Sequence, residues 1–95
     1  MTTGSAAAPI TADEIARLED MARRIRVAVI RTVENRKVGH VGGNLSAAEV
    51  LAALYGRILN IRPDEPAWPE RDRFIQSKGH CSLSQYAAMA LAGYF

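Results

Sequence analysis

The chain has 95 residues, 48% hydrophobic and 23% charged, with a formal net charge of +2. These values fit one small globular domain and exclude a disordered, collagen-like or coiled-coil polypeptide. A lone cysteine, Cys81, excludes an intramolecular disulfide, and no apolar run approaches the ~18 residues a membrane span needs.

Residues 1–10 are mostly small and polar, and read as a disordered tail ended by Pro9. The opening MTTGSAAAPI lacks the basic start and leucine-rich core of a secretion signal, so the cytoplasm is the expected compartment. Order should begin at Ile10. Thr11 and Glu14 form a capping box, and Ile10 with Ile15 supplies its hydrophobic staple. Ile15, Leu18, Ala22, Ile25, Val29 and Val33 then recur at spacings of three and four, which predicts a long amphipathic helix to about Asn35.

Ser46 and Glu49 look like a second capping box, stapled by Leu45 and Val50. It would open a helix with the apolar stripe Val50, Leu51, Leu54, Tyr55, Ile58 and Leu59, ending near Asn60. Pro63, Pro66 and Pro69 then make residues 61 to 72 a surface connection, with Trp68 as its anchor. A short strand fits RFIQS. Leu83, Tyr86, Ala87, Ala90 and Leu91 mark a third helix, capped at its C-terminus by Gly93, and Tyr86, Met89 and Leu91 read as its core residues.

The two histidines, His40 and His80, each follow a glycine and each precede a predicted helix. A helix start offers unpaired N–H groups and a positive dipole end, which together favour anions. Gly39, Gly42 and Gly43 can adopt positive φ or leave room for a ligand. Imidazole, with an unperturbed pKa of about 6.5, can donate to ligand oxygens or exchange protons near neutral pH. The competing reading makes both histidines half-buried turn residues satisfied by backbone carbonyls; spacing alone does not separate the two.

Other chemistry is weaker. The arginines clustered between Arg17 and Arg36 have no interleaved aromatics and are diluted by Glu14, Glu19, Asp20 and Glu34, so nucleic acid is not an expected partner. Adjacent His80 and Cys81 seldom converge on one zinc ion, and no metal site is assigned to these residues. Packing explains Cys81 as well as nucleophilic chemistry does.

The wording GHVGGNLSAAEVLAALY followed by DRFIQSKGHCSLSQYAAMALAGYF resembles the start of the transketolases, enzymes dependent on thiamine diphosphate. The resemblance spans roughly residues 12 to 95, and two motifs in order are more specific than either alone. It implies an α/β fold, present here only in part as about three helices and one short strand within residues 11–95. It implies that His40 lies beside the thiazolium ring and donor substrate, and that His80 lies near the diphosphate and substrate. Both would be catalytic, cofactor-binding and substrate-binding; Gly42 would join them at the cofactor, and Lys78, in the turn shaped by Ser77 and Gly79, would face substrate phosphate.

The sequence departs from the family at Val41, where most relatives carry proline, and at Cys81 to Ser84, where they are alanine-rich. These changes bear on specificity. The family's Gly-Asp-Gly to Asn motif, which holds Mg²⁺ and through it the diphosphate, would lie beyond Phe95. The glutamate that activates the cofactor belongs to a separate pyrimidine-binding domain or subunit. The expectation is therefore an N-terminal segment or split subunit, inactive alone, that completes a homodimer or heterotetramer and moves a two-carbon ketol unit between sugar phosphates. A small helical protein-interaction module is the alternative from another class.

Overall fold

The computed structural model describes residues 8–36, 41–77 and 79–95. Of the residues singled out above, Gly39, His40 and Lys78 fall outside that set, as does most of the expected tail. Helix α1 runs over Ala12–Arg36. Its start forms as the sequence dictates: the Glu14 amide donates to Thr11 Oγ1 at 3.1 Å, and the Thr11 amide donates to Glu14 Oε1 at 3.4 Å. The apolar stripe turns inward, with Ala22, Ile25 and Val29 buried. Most of the arginines stand on the opposite, exposed side.

The second helical region departs from expectation. It starts earlier, as α2 over Val41–Ser46, and resumes after Ala47 as α3 over Ala48–Ala53. The Ser46–Glu49 capping box does not form. Because the chain is already helical at Val41, the Ser46 hydroxyl donates back to the Gly43 carbonyl at 3.0 Å, and the Glu49 carboxylate pairs with Arg26 of α1. Positive φ is not used at Gly42 or Gly43, which are helical; among the described residues it occurs at Gly93.

Helix α3 passes into one π-helical turn over Leu54–Ile58, closed by the Leu59 amide donating to the Leu54 carbonyl at 2.8 Å. The turn lies against α1 because Gly56 has no side chain. A Cβ there would stand 2.6 Å from Leu18 Cδ2, and the Gly56 carbonyl accepts from Arg17 Nη2 at 2.9 Å. Arg57, only 6% exposed, pairs with Glu14 and also donates to the Ala8 carbonyl. A buried guanidinium is costly unless compensated, and here a carboxylate and a carbonyl share the task.

The proline-rich connection is closed at its base by two bonds between Asn60 and Asp72: amide 60 donates to Asp72 Oδ2 at 2.7 Å, and amide 72 donates to carbonyl 60 at 2.9 Å. Within it Trp68 is half-buried, with the Arg62 guanidinium 4.0 Å above its ring. The strand expected at RFIQS is absent, and no strand occurs among the described residues. A β-strand needs a ladder partner; none is present, and Ile75 is 85% exposed. The described residues are helical where they form regular structure.

A single 3₁₀ turn, Gly79–Cys81, leads into α4, Ser82–Ala92. Gly93 ends it at φ 106°, and the bonds from the Gly93 amide to the Ala90 carbonyl and from the Tyr94 amide to the Met89 carbonyl make a Schellman cap. The face that α4 buries is Ser84 and Ala88. Tyr86, expected in the core, is 56% exposed, whereas Met89 and Leu91 pack partly buried on the core cluster. That core joins Ala22, Ile25 and Val29 of α1 to Ala48, Leu51 and Ala52 of α3, Tyr55 and Ala88. Tyr55 meets Phe74 edge to face at 6.4 Å. Among the described residues no helix is long and apolar enough to cross a membrane.

Candidate functional site

Two stretches far apart in sequence, VGGNLS and GHCSLS, meet where α2 packs on the 3₁₀ turn and the first turn of α4. His80 is exposed on that turn, and the fully buried Cys81 follows it. The contact depends on Gly43: a Cβ at that position would lie 2.4 Å from Cys81 Sγ and 3.7 Å from His80 Nε2. No real Cβ approaches sulfur so closely. Glycine is needed here for proximity rather than for an unusual φ.

Gly42, one residue earlier, is exposed and would place a Cβ in open space, as would Gly79. The same end of the molecule therefore has an exposed imidazole and exposed glycine backbone next to it in sequence. His40 and Lys78 lie outside the described residues; within the described ones, the two motifs meet at Gly43, His80 and Cys81.

The junction also contains residues that the sequence did not single out. Asn44, fully buried, accepts the Ser84 amide proton on Oδ1 at 2.8 Å. The Cys81 carbonyl accepts from Ser84 Oγ at 2.8 Å and from Gln76 Nε2 at 2.7 Å. Gln85 Nε2 reaches the Tyr55 hydroxyl at 3.2 Å. An asparagine 40 residues from its partner carries no local signature; the one clue in the sequence is an amide in an otherwise apolar helical stretch. Cys81 is packed beneath Gly43 with no exposed surface, which favours its packing reading over a nucleophilic one.

Residues 17–95 match the family model for the thiamine diphosphate binding domain of transketolase. The chain belongs to the transketolase family. It is 53% identical over 78 residues to a 6-deoxy-6-sulfo-D-fructose transketolase subunit of Clostridium sp. strain MSTE9, covering 82% of this chain and 28% of that protein. It is 49% identical over 74 residues to a transketolase of Treponema pallidum, covering 78% and 11%. It is 38% identical over 81 residues to an apulose-4-phosphate transketolase subunit of Phocaeicola vulgatus, covering 85% and 29%. This transketolase-family chain thus spans under a third of the length of these curated relatives. The match takes in both Gly-His motifs and does not favour the interaction-module alternative.

Proposed function

We propose that this chain supplies one flank of the thiamine diphosphate site in an enzyme that transfers a two-carbon ketol unit from a ketose to an aldose, with sugar phosphates as the substrate class. The observation that carries the reading is the contact of Gly43 with the His80 turn, which joins the two sequence motifs in space. The exposed imidazole and the unobstructed Gly42 fit the edge of a group with ligand oxygens: the ring can donate, and the backbone leaves room. Thiamine diphosphate, when bound, supplies the electron sink for carbon–carbon cleavage.

In this reading His80 donates a hydrogen bond to the diphosphate side of the cofactor and to substrate oxygens. His40 holds the ketose hydroxyls and the oxygen that gains charge as the bond breaks. Gly42 lets the backbone approach the cofactor, and Lys78 adds positive charge toward substrate phosphate. The Mg²⁺ ligands and the activating glutamate come from sequence outside these residues. The glutamate belongs to a pyrimidine-binding domain or a separate subunit, a division that the names of two relatives support. The complete protein is then an α/β enzyme, homodimeric or heterotetrameric, working in the cytoplasm; residues 73–77 would join its sheet.

The test is ketol transfer from xylulose 5-phosphate by the longest natural polypeptide carrying this chain, together with any neighbouring subunit. Replacing His80 or His40 with asparagine should lower kcat by roughly 10²- to 10⁴-fold, the range of a lost proton-handling side chain. The 95-residue chain alone should show no micromolar calorimetric binding of cofactor with Mg²⁺. Full kcat in both histidine variants overturns the assignment.

A further inference from the structure

His80 stands exposed on a three-residue turn, yet its neighbours are tied on two sides. A Cβ at Gly79 would meet open space, and the ties act at Cys81 and Ser84. The α4 N-terminus lacks a local cap: Cys81 occupies the N-cap position and makes no side-chain cap bond. A helix start leaves amide donors without intrahelical acceptors. One of them, the Ser84 amide, is satisfied by Asn44 Oδ1 from α2. A second tie comes from the segment before the turn, where Gln76 Nε2 donates to the Cys81 carbonyl.

Burying an amide side chain costs free energy unless its polar atoms are bonded. An apolar side chain of similar size would fill the Asn44 position at lower desolvation cost. What it could not do is accept the Ser84 amide proton and so fix the register between α2 and α4. We propose that Asn44 is a positioning residue for His80: its Oδ1 locks the His80-bearing turn onto the helix that begins at Val41. The inference rests on the transketolase reading for its catalytic consequence and on the Asn44–Ser84 bond for its structural one.

Three variants of the complete protein test it: Asn44→Leu, which keeps size and removes the acceptor; Asn44→Asp, which keeps an acceptor oxygen; and Gln76→Leu, which removes the second tie from a partly buried site. Amide hydrogen exchange followed by mass spectrometry is read for residues 79–86 and, separately, for α1. Asn44→Leu should speed exchange in 79–86 by about tenfold or more, the scale of a lost buried hydrogen bond, and leave α1 unchanged. It should also lower kcat by about tenfold or more with KM little altered, because a misplaced group costs rate.

Asn44→Asp should restore both readouts to within about threefold of the parent. If Asn44→Leu does not accumulate, Gln76→Leu carries the same expectation in the same residues. Unchanged exchange at 79–86 overturns the proposal. So does exchange that rises equally in α1 and α4 without rescue by Asn44→Asp, which would make Asn44 an ordinary core residue. A parent protein with no thiamine-dependent transfer but with the expected exchange pattern would sink the ketol-transfer reading and leave the anchor standing.

Discussion

The helix starts of α1 and α4 solve one problem in opposite ways. At α1 the orphan amides are met by neighbours three residues away, Thr11 and Glu14, and the solution is written locally. At α4 the corresponding acceptor is Asn44, delivered from α2 by tertiary packing. The α1 cap stabilises one helix. The α4 cap also sets the distance between two elements, so it carries information about the candidate site, and its loss should be felt there first.

Removing the long-range cap should have the largest effect. Asn44→Leu leaves the Ser84 amide buried without an acceptor, and a loss of about 2 kcal/mol is expected in guanidinium unfolding. A loss no greater than that of the local cap would erase the contrast. Gly43→Ala comes next. Alanine in a helix gains up to about 1 kcal/mol over glycine, but overpacking costs about 1–3 kcal/mol, and a Cβ 2.4 Å from the buried Cys81 sulfur gives the clash the larger weight. The expected net loss is about 1 kcal/mol or more, with the His80 turn displaced.

At the local cap, Thr11→Ala should cost about 1 kcal/mol, measured as a lower denaturation midpoint with exchange at residues 79–86 untouched. Gly42→Ala should have the opposite sign from its neighbour: with open space for the methyl, a gain of about 0.5 kcal/mol is expected, alongside weaker cofactor binding in the complete enzyme if Gly42 lines that site. Equal effects at Gly42 and Gly43 would contradict the packing described.

A final comparison uses acid. The hydrogen bond from Arg57 holds the Glu14 carboxyl below its ordinary value of 4.5. A depressed carboxylate pKa contributes stability that is present above the ordinary value and lost as pH falls through the folded one. A stability titration should therefore show the α1 start and its Arg57 contact weakening below about pH 4.5. Arg57→Met should flatten that part of the curve, while Asn44→Leu should leave its shape alone, because an amide does not titrate.

Legibility in the sequence follows the range of the forces involved. The α1 cap, its apolar stripe and the Gly93 cap depend on residues a few positions apart, and each was predictable from spacing. The Ser46–Glu49 box matched the pattern equally well and failed, since α2 had already begun at Val41 and Glu49 found Arg26 on another helix. RFIQS carries a strand-like composition but no strand, because composition cannot supply the partner that a ladder requires. Tyr86 fits a helical stripe by period, yet α4 turns its small residues, Ser84 and Ala88, to the core.

By itself the sequence determined where α1 begins and where α4 stops, and its two Gly-His motifs determined the family. Those properties come from capping, periodicity and residue order, all of which are read along the chain. Only the tertiary structure decided that Gly43 lies against His80 and Cys81, that Gly42 does not, and that Asn44 completes the start of α4. The reason is steric and electrostatic. Whether a glycine is needed for closeness, or a buried amide has a partner, depends on atoms that arrive from 40 residues away.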